Sequence, residues 1–193
     1  MSLIFHLPYP YPQDELLINI PLDWLRDPSK ICKVRKTIFP QLQNLLEAAR
    51  NEGVEIVVLS SYRAYEEQKE LFKKAEEKHG KGEGIKWVAP AGYSEHHTGA
   101  VFDFADNKNP ETDDELSFET TPTFDWLFKH AQTFGFEISF PKNNWQHIGY
   151  EPWHWRFVGD RESKEMFHPH FLKYFCKLIF SFFKAIHLTR NIK

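Results

Sequence analysis

The stretch Ser94-Glu95-His96-His97-Thr98-Gly99-Ala100-Val101-Phe102-Asp103 constrains this chain more than any other. His96 and Asp103 stand seven positions apart. On a straight strand an odd separation puts two side chains on opposite faces. A site shared by the two therefore requires a bend, and Gly99 is where a bend costs least. The immediate neighbour His97 then points away from His96, so only one of the two histidines can join Asp103. Two readings fit at this point: a metal held between histidine and aspartate, or a polar turn that precedes a core strand.

The surrounding pattern indicates an α+β fold with a central, mainly antiparallel sheet and flanking helices, because strands and helices mix without a regular βαβ alternation. Residues 1–34, rich in Pro and aromatics at their start, read as an irregular arm packed on the domain. A helix is expected from Ser29 as its cap, with Val34, Ile38, Leu42, Leu45 and Leu46 at helical spacing and Asn51-Glu52-Gly53 as its end. Val54–Leu59 is short and β-branched, hence a buried strand. Tyr65 to His79 reads as an exposed charged helix, and Gly-rich 80–95 as a loop. Ala100–Ala105 is a second strand, and acidic 106–119 a surface insertion. Phe124–Phe134 is a helix stopped by Gly135. Phe136–Phe140 and Trp153–Val158 are further strands.

Composition excludes some functions. A net charge of −3 gives no basic footprint for nucleic acid. From Arg161 onward seven Lys and Arg face two Glu, a net +5, so the preceding residues carry −8. Cys32 and Cys176, with no CxxC, build no disulfide framework and read as ordinary thiols. The N-terminus lacks the charged, apolar and small-residue regions of a secretory signal, which leaves a cytoplasmic protein or a leader outside this sequence. Aromatics make up 16% of the chain, suited to a packed core or to a cleft that grips a ligand.

Two further groups carry chemistry. In Glu151-Pro152-Trp153-His154-Trp155-Arg156, a Glu three residues before a His can lie beside a metal-bound imidazole, with Pro152 supplying the bend. Zinc hydrolases keep three protein ligands, leave the fourth position to water, and use a carboxylate as base. His96, Asp103 and His154 fit as the ligands and Glu151 as the base; the alternative is a hydrogen-bonded core histidine in a Trp cluster. In Ser60-Ser61-Tyr62-Arg63, an Arg after a buried strand can reach a cleft and meet a carboxylate or oxyanion, or it can be a solvated loop residue.

Together, Tyr62-Arg63 with Gln68, then Ser94/His96/Gly99/Asp103, then Glu151/Trp153/His154 resemble the VanY-type D-alanyl-D-alanine carboxypeptidases. These belong to the LAS metallopeptidases (lysostaphin, D-Ala-D-Ala peptidases, hedgehog). The resemblance covers roughly residues 35–160. It implies the LAS/hedgehog-like fold, Zn2+ held by His96, Asp103 and His154, Glu151 as catalytic base, and Arg63 at the developing oxyanion. Gln68 and Ser94 are implied as substrate-side or supporting residues. Tyr93 and Trp153 are candidate cleft walls, whereas Trp155 is read as core packing. His147 lies near the site in sequence, with substrate contact the minor reading. Two departures are Val101, where a small residue is usual, and His97, where many relatives have Gln.

The implied activity is removal of the C-terminal D-alanine from bacterial peptidoglycan stem peptides. The alternatives are an L,D-carboxypeptidase acting on tetrapeptide stems and a non-catalytic zinc-binding module. The tail 161–193 reads as basic, amphipathic and helical. Residues 171–193 suit a membrane surface, self-association or packing on their own domain, but Lys residues interrupt any clean membrane span.

Overall fold

A computed structural model describes residues 4–168. In chain order the elements are β1 (Leu17–Asn19), β2 (Lys33–Arg35), α1 (Phe39–Asn51), β3 (Ile56–Ser60), α2 (Tyr65–His79), β4 (Val101–Asp106), α3 (Pro122–His130), β5 (Phe136–Ile138), β6 (His154–Phe157) and α4 (Arg161–Phe167), joined by short 3-10 turns. The strands β3-β4-β6-β5 form one antiparallel sheet in that order, and β1 and β2 pair as a separate antiparallel ribbon. The fold is therefore α+β with antiparallel sheets and flanking helices, as the pattern of elements predicts.

The centre is β4, buried at all six positions because it has a strand on each side and packing on both faces. Its alternation divides the strand's labour. Phe102 and Phe104 share one face and stack at 5.6 Å, with Phe136 edge-on to both at 5.7 and 6.3 Å. Phe157 meets Phe136 edge-to-face at 5.3 Å, extending the same aromatic core. The opposite face of β4 carries Asp103. Directly across the ladder Asp103 pairs with His154, and Phe102 with Trp155. Register thus places one aspartate and one histidine side by side on the polar face. Trp155 goes to the core, 3% exposed.

The helix expected from Ser29 begins ten residues later, at Phe39. Ser29 instead donates its hydroxyl to Asp27 Oδ1 at 2.6 Å in a turn, and Lys33–Arg35 runs extended against β1. Val34 and Ile38 are core residues reached by a strand and a turn, so they kept the apolar period without the helix. Pro40 in the first turn suits the true start, since it has no N–H to satisfy there. Leu42, Leu45, Leu46 and Ala49 then form the buried stripe of α1. At α3, Thr121 caps the start by accepting from the Phe124 N–H, and the helix begins at Pro122, two residues before the expected Phe124. The helix passes into a 3-10 turn at Ala131 and stops at Gly135 in the left-handed region, φ +85°.

Gly99 joins the 3-10 turn Glu95–Thr98 to β4 in a left-handed conformation, φ +67°. A Cβ there would sit 2.9 Å from Leu17 Cδ2 as well. Gly99→Ala is expected to cost about 1–2 kcal/mol for the backbone alone, read as a lower urea midpoint with an unchanged slope. Wild-type stability in that variant would show that the bend does not depend on glycine.

The chain divides into two units, Met1–Phe157 and Val158 onward. Within the second, Asp160 caps α4 by accepting from the Ser163 N–H at 2.7 Å. The basic amphipathic segment expected over 171–193 lies outside the described residues. Among the described residues no helix is long and apolar enough to cross a membrane.

Candidate active site

Three elements converge on one point. The 3-10 turn before Gly99 supplies His96, β4 supplies Asp103 and β6 supplies His154. One nitrogen from each histidine and one oxygen of Asp103 all lie within 4.8 Å of one another, and all three residues are buried. The contacts of each imidazole show which nitrogen faces inward. His96 Nδ1–H donates to the Ser61 carbonyl at 2.6 Å, which leaves Nε2, 3.1 Å from Asp103 Oδ2, with its lone pair in the cluster. His154 is turned the other way: Nε2–H donates to Glu95 Oε2 at 3.1 Å, and Nδ1 lies 3.0 Å from Asp103 Oδ1. A histidine whose outer nitrogen is tied to a carbonyl or a carboxylate is oriented and made more basic, as metal-ligating histidines are. Two nitrogens and one carboxylate oxygen, buried and convergent, match the donor set of a catalytic zinc with an open position.

Glu151 stands beside the cluster. The His154 N–H donates to the Glu151 carbonyl at 3.2 Å, closing a turn through Pro152 that folds the carboxylate back over the imidazole. Its Oε2 lies 3.7 Å from His154 Nδ1. Burial pushes the Glu151 carboxyl up to about 8, although the neighbouring His154 pulls in the other direction. The other shifts follow from burial set against partners. Burial and the Arg63 charge hold His96 down at about 4. Burial disfavours the charged form of His154, but hydrogen bonds to Asp103 and Glu95 outweigh it and hold the imidazole up at about 10. Asp103 stays well below the usual carboxylate range: burial opposes this, and His96 and His154 outweigh it.

Arg63 reaches in from the loop after β3. Its Nη2 lies 2.9 Å from Asp103 Oδ2 and 3.1 Å from His96 Nε2. Gln68, only 1% exposed, accepts from Arg63 Nη1 at 3.1 Å and donates to the Ala89 carbonyl at 2.8 Å. Gln68 is thus placed to hold the guanidinium and the 80–95 loop together. Ser94, buried, Tyr93, 44% exposed, and the half-buried Trp153 all line the same cleft of about 600 Å³ as Arg63, His96, Asp103 and Glu151. His147 is exposed and takes no part in lining it.

His97 faces away from the cluster, as the bend at Gly99 requires. Its Nδ1–H donates to the Arg63 carbonyl at 2.8 Å and its Nε2 accepts from the Gly92 N–H at 3.0 Å. The ring packs on Tyr11 at 4.2 Å. Three residues of consequence escape a motif reading. Glu95 is 3% exposed and bridges His154 and Arg156; its only sequence signal is its place next to His96. Tyr9 reaches Glu95 from the arm, and Asp114 lines the cleft from the segment expected to be mere surface.

A buried His-Asp-His cluster beside a carboxylate, at the polar face of an antiparallel sheet, defines a metallopeptidase-like class of site. The chain belongs to the VanY D-alanyl-D-alanine carboxypeptidase family, whose profile it matches over residues 31–160. It is 35% identical over 133 residues to the putative carboxypeptidase YodJ of Bacillus subtilis, covering 68% of this chain and 48% of that one. Among solved structures it is similar to the LdcB LD-carboxypeptidase, with a TM-score of 0.69 and 32% identity over 81% of this chain and 73% of that chain. It is also similar to the vancomycin-resistance D,D-pentapeptidase VanY in complex with Zn(II), with a TM-score of 0.65 and 26% identity over 86% and 92% of the two chains. The chain spans about half the length of the curated carboxypeptidases it matches first.

Proposed function

We propose that this chain is a zinc-dependent carboxypeptidase that removes the C-terminal D-alanine from peptidoglycan stem peptides. The observation that carries the reading is the convergence of His96, Asp103 and His154, with Glu151 beside His154 and Arg63 against Asp103 and His96. Family membership and a zinc-bound VanY structure support it. Residues 35–160 are the catalytic domain in this reading, 1–34 an arm packed on it, and 161–193 a separate tail.

In this reading His96 Nε2, Asp103 and His154 Nδ1 hold the zinc. Bound there, zinc supplies Lewis acidity, lowering the pKa of a water and polarising the scissile carbonyl. Glu151 takes a proton from the attacking water and passes it to the leaving amine of D-Ala. Arg63 holds the charge that develops on the carbonyl oxygen, an interaction of about 3–4 kcal/mol for a well-placed donor. Gln68 fixes its fork. Ser94 and the walls Tyr93 and Trp153 position the peptide and exclude water.

The LdcB likeness favours one second reading, an L,D-carboxypeptidase acting on tetrapeptide stems. Purified protein incubated with pentapeptide and tetrapeptide stems, with mass analysis and a chelator control, separates the two. Chelator-sensitive loss of one D-Ala from the pentapeptide supports the first reading. Cleavage of the tetrapeptide alone supports the second, and no cleavage of either removes both.

A further inference from the structure

The N-terminal arm is tied to the cleft at several points, all contributed by residues ahead of the family-matched region 31–160. The Phe5 N–H donates to the Gln146 carbonyl and Gln146 Nε2 returns a bond to the Phe5 carbonyl, both at 2.9 Å. His6 Nε2 bonds the Ile85 carbonyl at 2.7 Å, and the Tyr9 N–H donates to the Gly92 carbonyl at 3.0 Å. These bonds hold the arm from Phe5 up to the Tyr9 backbone itself, and the Tyr9 side chain is buried at 6% exposure. Its hydroxyl donates to Glu95 Oε1 at 3.2 Å.

Glu95 is where that contact acquires meaning. Oε1 also receives Arg156 Nη1 at 2.8 Å, and Oε2 receives His154 Nε2 at 3.1 Å. Arg156 is itself held by Glu137, with Nε 2.8 Å from its Oε1. One carboxylate oxygen is therefore clamped from two directions, by a phenol and a guanidinium, so that the other oxygen has a fixed position from which to accept His154 Nε2–H. An imidazole can flip about its Cβ–Cγ bond and present either edge. Holding Nε2–H on Glu95 is what keeps Nδ1 toward Asp103 and His96.

We infer that the arm completes the metal site from outside the family domain: Tyr9 joins Arg156 of β6 in fixing Glu95, and Glu95 sets the orientation in which His154 meets the metal. Tyr9 and Glu95 are positioning residues, acting through His154 rather than touching substrate. The inference rests on the zinc reading above. It also makes the arm, which contributes His6, Leu7 and Tyr9 to the cleft lining, part of the working enzyme rather than a cover.

The test uses the full chain and the variants Glu95→Gln and Tyr9→Phe. Zinc affinity is measured by chelator competition, the Co(II)-substituted forms by their visible spectra, and kcat and KM on a stem peptide. Thermal midpoints are recorded in parallel. Glu95→Gln should weaken zinc binding by about 10–100-fold and shift the Co(II) spectrum. Tyr9→Phe, which removes one oxygen and keeps the packed ring, should move both in the same direction by about 3–10-fold in affinity, as one hydrogen bond allows. In both, kcat should fall more than KM rises. Wild-type zinc affinity and spectrum in Tyr9→Phe, even with a lower melting point, would reduce the arm to a structural strap and overturn the inference. The same result in Glu95→Gln would overturn the role of Glu95. A wild-type chain that binds no zinc would instead remove the functional reading, and this inference with it.

Discussion

With the proposed activity, replacing Glu151 with glutamine is expected to lower release of D-alanine by about 10²–10⁴-fold while zinc stays bound. The two halves of that expectation come from different parts of the geometry. Zinc stays because the three donor atoms close on one another without Glu151, whose Oε2 is 3.7 Å from His154 Nδ1 and outside the cluster. Turnover falls because the amide has the shape of the carboxylate and none of its basicity. Glutamine also avoids leaving a cavity, which keeps the comparison free of a folding defect. Metal analysis and product release on the same preparation check it. Activity equal to wild type would remove Glu151 as the base, and loss of zinc with loss of activity would make it a ligand.

How much of this was legible in the sequence depended on whether the signal was local. The bend at Gly99, the divergence of His96 and His97, and the placing of Trp155 in the core follow from strand parity and from a glycine, and the structure shows each of them. The start of α1 was misread because Val34 and Ile38 satisfy a helical period while belonging to a strand and a turn; burial, not conformation, sets that period. Glu95 could not be assigned because its partners lie 86, 59 and 61 positions away. A lone acidic residue beside a histidine carries no spacing rule. Asp114 was missed for a related reason: an acidic, polar run looks like solvated surface whether or not the fold turns it over a cleft. Motif residues state their chemistry in sequence, whereas the residues that hold them in place acquire theirs only from the fold.

The adjacent histidines give the sharpest contrast. His96→Ala removes one of three donors and should abolish stoichiometric zinc binding together with activity, a fall of more than about 10³-fold if the metal carries the chemistry. His97→Ala, one residue along, should keep its zinc. What it loses is a tie: the Arg63 carbonyl and the Gly92 N–H lose the partner that joined them, and the Tyr11 ring loses its packing surface. A buried polar group left unpaired costs about 1–3 kcal/mol, so the urea midpoint should drop in His97→Ala while the zinc content of the folded protein holds. Because His97 anchors the Arg63 backbone, KM and kcat in that variant shift modestly, through a loosened guanidinium. His97→Gln separates the tie from the ring, since an amide can donate to one carbonyl and accept from one N–H. It should recover most of the stability lost by alanine. Zinc content by metal analysis, beside urea melts of all three variants, decides the assignment. A His97→Ala protein that folds but holds no metal would show that the ligand is His97 and that the bend at Gly99 turns the chain the other way.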